Sequence, residues 1–170
     1  HIPVLAAVLK QTPGPVLELG AGEGSTPLIH YLCRDRYVLT VDSDSEWLRT
    51  LSGYNHPGHH DLIHVGGRDV TAKLKAWDAF CQAHAVRESH WGVCFVDMAP
   101  GEARVPAILA LRGVVRCFVA HDYEADLPPG GGNYGWKQLI GVFKHETVMQ
   151  RLRPWTAVLS NTDKFWMEDA

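Results

Sequence analysis

Glu18 stands two residues ahead of the first of three alternate glycines, Gly20, Gly22 and Gly24, in the run Val16-Leu-Glu-Leu-Gly-Ala-Gly-Glu-Gly-Ser-Thr26. A short apolar run that ends in such glycines reads as a buried strand turning sharply into a helix. Without a Cβ, backbone N–H groups can approach a ligand closely. A turn of this kind, at the end of a parallel strand, is where open α/β sheets bind nucleotides. No Gly-Lys-Ser/Thr follows, so a phosphate-binding P-loop is excluded. A dinucleotide fingerprint wants glycine or alanine where Ser25 stands.

Further polar residues recur where apolar runs end. Asp42 lies about 20 residues beyond the glycine turn, placed to accept the ribose hydroxyls of a nucleoside; the alternative is a cap on the following helix. Ser43 beside it is placed to reach the adenine. Gly67-Arg68-Asp69 follows a third run, and Asp69 reads equally as a helix N-cap. Asp97 closes a fourth run in Val-Asp-Met98-Ala-Pro, and His121-Asp122 closes a fifth. Asp97, His121 and Asp122 on neighbouring strand ends could hold a divalent metal. Imidazole is a poor magnesium ligand, and His121 could instead serve as a general base; the plainer alternative is that the acids cap loops. His56, His59, His60 and His64 invite a metal reading too, but their surroundings read as loop and then strand, so solvated histidines are expected.

Positioning these residues takes an alternation of strands and helices. Helices are expected over 2–10, 25–33, 43–51, 71–86, 102–111 and 134–142. Strands are expected over 16–19, 37–41, 62–65, 93–96 and 114–120, with an antiparallel hairpin over 145–149 and 156–160. Ser25 or Thr26 is expected to cap the second helix. The acidic, then Pro/Gly-rich stretch 124–133 reads as a mobile loop over the sheet edge, flanked by Tyr123, Tyr134 and Trp136 as a candidate substrate wall. Trp77, Trp91, Trp155 and Trp166 are expected in or near the core. Alternating elements predict a parallel sheet covered on both faces.

Glu18-x-Gly20-x-Gly22-x-Gly24 resembles the first motif of class I S-adenosylmethionine (SAM) methyltransferases. The five strands followed by a hairpin resemble that family's sheet. The resemblance implies an α/β three-layer sandwich with a seven-stranded, mostly parallel sheet and a C-terminal antiparallel hairpin, one domain over residues 1–170. It implies SAM as cofactor over Glu18, Gly20, Ala21, Gly22, Gly24, Ser25 and Thr26, with the ribose on Asp42 and the adenine near Ser43, Gly67, Arg68 and Asp69. The methyl group would lie near Asp97, Met98 and His121. Small-molecule O-methyltransferases carry an acid after strand four and an acidic or Asp-Asn pair after strand five. They bind magnesium there, which implies magnesium or manganese at Asp97, His121 and Asp122, a pattern from which His121 departs. The Asn-Pro-Pro-Tyr type of motif is absent after strand four, where Asp97-Met98-Ala99-Pro100 stands. That points to a small oxygen or nitrogen nucleophile. A non-catalytic methyltransferase-like binding subunit and an NAD-binding oxidoreductase are the alternatives.

Composition agrees. The 170 residues carry a net charge of −3 without a basic stripe, so no nucleic-acid partner is expected. No apolar run is long enough to span a membrane. The four cysteines, Cys33, Cys81, Cys94 and Cys117, form no C-x-x-C pair and suit a reducing cytosol, so a cytoplasmic location is expected. A homo-oligomer is left open.

Overall fold

The structure is a computed structural model, and it describes residues 1–86, 90–124, 134–151 and 153–165. Seven strands form one sheet in the order β3-β2-β1-β4-β5-β7-β6. They are β1 (Val16–Leu19), β2 (Val38–Asp42), β3 (His60–His64), β4 (Trp91–Val96), β5 (Val115–His121), β6 (His145–Met149) and β7 (Thr156–Ser160). The first five run parallel, and β7 inserts antiparallel between β5 and β6. The sheet is seven-stranded, mostly parallel and closed by an antiparallel hairpin, as expected.

Helices cover both faces because the central strands are apolar on both. The side-chain period of two sends Leu17 and Leu19 to one face and Val16 and Glu18 to the other. The first face packs, with Leu39, Cys94, Val96 and Phe118, against α4 (Val70–Ala85) and α5 (Arg104–Leu111). The second packs, with Val38, Val93 and Phe95, against α1 (Ile2–Gln11) and α2 (Ser25–Leu32). A short α3 (Ser45–Thr50) follows β2. The four cysteines are reduced and buried, small apolar fillers of the core. Among the described residues no helix is long and apolar enough to cross a membrane.

Several expected elements differ, each for a local reason. The stretch 134–142 is not an α-helix: only a 3-10 turn forms over Trp136–Leu139. Gly135 before it and Gly141 after it adopt positive φ and break the helical path. Trp136 and Tyr123 are not a substrate wall. They are 0% and 3% exposed, with their rings 5.0 Å apart in the core. The indole N–H of Trp136 donates to the Asp122 carbonyl. Tyr134 lies over the Arg104 guanidinium at 4.6 Å. Strand β3 begins at His60 rather than Leu62, because His60 is fully buried and pairs with Val38. The α3 cap is Asp44, whose carboxylate accepts from the Glu46 and Trp47 N–H groups. Gly24 takes the N-cap position of α2, leaving Ser25 and Thr26 inside the first turn. Trp91 opens β4 instead of preceding it. Glu124 is buried and its carboxylate accepts from the Trp155 N–H; the rest of the expected loop, 125–133, and Trp166 lie outside the described residues.

Candidate active site at the strand ends

The glycine turn is held from three sides. Gly20 adopts φ +98°, and a Cβ on it would lie 2.5 Å from the Met98 nitrogen. Glycine here lets the ends of β1 and β4 touch. The Ala21 N–H donates to Asp42 Oδ2 at 2.8 Å, and the Trp47 indole donates to the Ala21 carbonyl at 2.8 Å. The Gly22 N–H donates to Thr26 Oγ1, which donates onward to Glu18 Oε2 at 2.8 Å. Thr40 Oγ1 donates to the same Glu18 oxygen at 2.6 Å. Glu18 is a strut beneath the turn, 0% exposed, with Oε1 buried and unpartnered. Burial raises its pKa to about 7, against the opposing pull of the nearby Ser25, Thr40 and Thr26 hydroxyls.

Asp42 does two jobs with backbone alone: Oδ2 holds Ala21, and Oδ1 accepts from the Asp44 N–H at 2.8 Å. Burial raises its pKa, while those backbone N–H donors pull it down. Each oxygen keeps lone-pair capacity for a ribose hydroxyl. Ser43, Gly67 and Arg68 line a cavity of about 660 Å³ beside it. The Ser43 hydroxyl donates to the Ala99 carbonyl. Asp69 caps α4 by accepting from the Ala72 N–H at 2.9 Å, so its geometry is that of the N-cap alternative. Met98 is fully buried and meets the turn through its backbone.

Next along the same edge, Asp97, His121 and Asp122 converge, but on a residue that sequence reasoning missed. The buried guanidinium of Arg104 bridges Asp97 Oδ1 at 2.9 Å and Asp122 Oδ2 at 2.8 Å. It also donates to the Met98 and His121 carbonyls at 2.9 and 3.0 Å. The Nδ1 of His121 lies 3.2 Å from Asp97 Oδ2 and 3.4 Å from Asp122 Oδ1. Both are ion-pair distances without hydrogen-bond geometry, so this buried nitrogen has no bonded partner. His121 also lines a cavity of about 480 Å³, with Val4, Met149, Arg151, Arg153 and Thr156 around it. Asp122 reaches its place with φ +54°, a conformation aspartate tolerates better than most residues.

This donor set does not fit magnesium. A hard cation needs several free oxygens, and Arg104 already occupies one oxygen of each carboxylate. What remains in mutual reach is Asp97, His121 and the His1 ring, a nitrogen-rich set.

Two signals could have exposed the missed residues. Arg104 opens an otherwise apolar helix, Arg-Val-Pro-Ala-Ile-Leu-Ala-Leu; a guanidinium buried there must find carboxylates, and Asp97 and Asp122 close the adjacent strands. Thr40 is the polar residue in Val-Leu-Thr-Val-Asp, opposite Glu18 in the parallel register.

No family model matches this chain, and no curated protein matches it. Solved structures do. An O-methyltransferase of tomaymycin synthesis, TomG from Streptomyces achromogenes, in complex with SAM, is 16% identical with a TM-score of 0.65, over 94% of this chain and 78% of that one. A candidate O-methyltransferase from Klebsiella pneumoniae is 15% identical with a TM-score of 0.66, over 95% and 80%. Spermidine synthase from Thermotoga maritima is 14% identical with a TM-score of 0.56, over 95% and 56%. At these identities the likeness is one of fold: the seven-stranded sheet and its helical layers are those of the class I methyltransferases.

Proposed function

We propose that this chain, built on the class I methyltransferase fold, transfers a methyl group from SAM to a small-molecule oxygen or nitrogen nucleophile. One observation carries the reading. The acid-glycine turn, pinned by Thr26, Thr40 and Asp42, opens on the same sheet edge as the Asp97–Arg104–Asp122–His121 cluster. The residues suit SAM: Ala21 and Gly22 offer a tight backbone turn, Asp42 would accept from the ribose hydroxyls, and Ser43, Gly67 and Arg68 line a cavity that would take the adenine. SAM, when bound, supplies a methyl group already activated on a sulfonium.

The chain's own residues then have two tasks, alignment and removal of a proton. Alignment contributes most to an in-line displacement, and the turn and the strand ends are fixed by backbone hydrogen bonds. His121 turns its buried Nδ1 toward the two carboxylates, which favour the proton there, and lines the adjacent cavity, so its Nε2 would take the acceptor's proton. Asp97 and Asp122 would stabilise the imidazolium that forms. Arg104 holds both carboxylates in register and supplies a fixed positive charge. The reading therefore needs no magnesium or manganese, and turnover should persist in EDTA.

Calorimetry with SAM, S-adenosylhomocysteine and NAD side by side tests the proposal. We expect micromolar binding of the first two and far weaker binding of NAD. Tight NAD binding with no response to SAM would overturn it. SAM binding with no methyl transfer to any nucleophile would favour a binding subunit.

A further inference from the structure

The structure brings four imidazoles together at the opposite, N-terminal edge of the sheet. His30 lies on α2, His60 opens β3, and His56 and His59 come from the turn before it. The His30 ring centroid is 5.1 Å from His56, 5.4 Å from His59 and 5.3 Å from His60. The Nδ1 atoms of His30 and His60 are 3.1 Å apart. The expectation of solvated histidines thus fails for His60, which is 0% exposed.

The backbone that carries these rings is tied down. The His59 N–H donates to the His56 carbonyl, closing a turn with Pro57 and Gly58 (φ +83°) at its centre, the type II pattern. His56 and His60 exchange two backbone hydrogen bonds of 2.8 Å. Asp61 ties the turn further, accepting from the Tyr37 hydroxyl at 2.8 Å and the Gly58 N–H at 3.3 Å.

The tautomer of His60 follows from its partners. With Glu18 ionised, Thr40 Oγ1 gives its proton to Glu18 and accepts from His60 Nε2, 2.8 Å away. In that state the proton of His60 sits on Nε2, and Nδ1 turns a lone pair toward His30. A metal-bound histidine is oriented in this way, its outer N–H held by an oxygen. His56 Nε2 likewise lies 3.2 Å from the Gly53 carbonyl, leaving Nδ1 as its free donor. Two imidazole nitrogens bound to one tetrahedral ion at about 2.0–2.1 Å stand roughly 3.3 Å apart. The observed 3.1 Å suits an N–H···N hydrogen bond in the free protein and an ion that replaces its proton.

As the rings stand, His30 and His60 bring two nitrogens together and no third His, Cys, Asp or Glu ligand atom of the described residues lies within 4.8 Å of both. We propose that His30 and His60, with the His56 or His59 ring rotating in as third ligand, bind a zinc-, copper- or nickel-type divalent ion at a site separate from the strand ends. Neutral nitrogen donors without a carboxylate select these borderline ions over magnesium or calcium.

Titration of the untagged chain with cobalt(II), read by its visible absorption, and with zinc against a chromophoric chelator, tests this. The wild type should bind one equivalent saturably. His30→Ala, at a half-buried helix position, should weaken binding by about ten- to a hundredfold, and His56→Ala or His59→Ala should weaken it less. Thermal melting without metal should show His30→Ala folded; should it not fold, His30→Gln replaces it. The variants His121→Ala, at the other candidate donor set, and His145→Ala, on β6, should bind like wild type. No saturable binding up to millimolar metal would overturn the proposal. So would a loss in His121→Ala equal to or greater than that in His30→Ala.

Discussion

Glu18 is the residue where sequence and environment pull hardest against each other. Its position in the motif puts a carboxylate on the α1/α2 face of β1, where it is fully buried. The folded pKa of about 7 lies above the ordinary 4.5. The native state therefore holds a proton that the unfolded chain has already released. That contribution to stability is complete below about 4.5 and is lost as pH rises through about 7, and it is worth about 3 kcal/mol. Glu18→Gln should flatten the fall in urea midpoint between about pH 5 and pH 8; midpoints that run parallel to wild type would mean that another group titrates. Arg104 poses the opposite case, a buried charge fully met. Arg104→Met leaves two carboxylates facing one another and should destabilise the fold by about 3 kcal/mol or more. Arg116→Met, at the exposed pair with Asp163, should cost under about 1 kcal/mol. Equal losses in urea unfolding would deny Arg104 its special place. The acids around Arg104 are legible in the sequence because they end apolar runs. Arg104 itself is not, because its role depends on which strand ends become neighbours.

At the scale of elements, period and punctuation carry most of the information. Both hairpin strands and β1 match their expected bounds, since each apolar run is framed by glycine, proline or polar residues. The helix expected over 134–142 fails because Gly135 and Gly141 outweigh its apolar spacing. Strand β3 starts two residues earlier than expected because His60 looks polar in sequence, yet Thr40 satisfies it inside. The glycines illustrate a finer point. Their spacing suggests a turn open to a ligand, but Gly20 is glycine because the end of β4 presses against it. Gly20→Ala combines a positive φ with backbone contacts of 2.5–2.6 Å and should destabilise by at least about 2 kcal/mol. A Cβ added at Gly53 would meet nothing within 4 Å, so Gly53→Ala should change stability by under about 0.5 kcal/mol. Thermal or urea unfolding of the pair decides whether packing, rather than ligand access, fixes Gly20.

The whole molecule places its two candidate sites at opposite edges of one sheet, joined through the Glu18–Thr40–His60 line of side chains. The candidate site at the C-terminal edge draws on the ends of four strands that lie side by side in the order β2-β1-β4-β5. A ligand bound there touches elements far apart in sequence, so it should stabilise the sheet as a unit rather than one loop. At S-adenosylhomocysteine concentrations about 100 times its dissociation constant, the gain is about 2.7 kcal/mol. For a chain of this length that corresponds to a rise in Tm of roughly 5–10 °C. EDTA should leave the rise unchanged, because Arg104 already supplies the positive charge between Asp97 and Asp122. Asp42→Ala should weaken binding by about 1–3 kcal/mol, as hydrogen bonds to a charged acceptor are lost, and at the same ligand concentration the rise should shrink by between about a third and nine-tenths. If EDTA abolished the rise, a metal ion would be part of the pocket and Arg104 could not be its substitute. If Asp42→Ala kept the full rise while remaining folded, Asp42 would serve only the turn it holds through Ala21 and Asp44, and the ribose would need another acceptor.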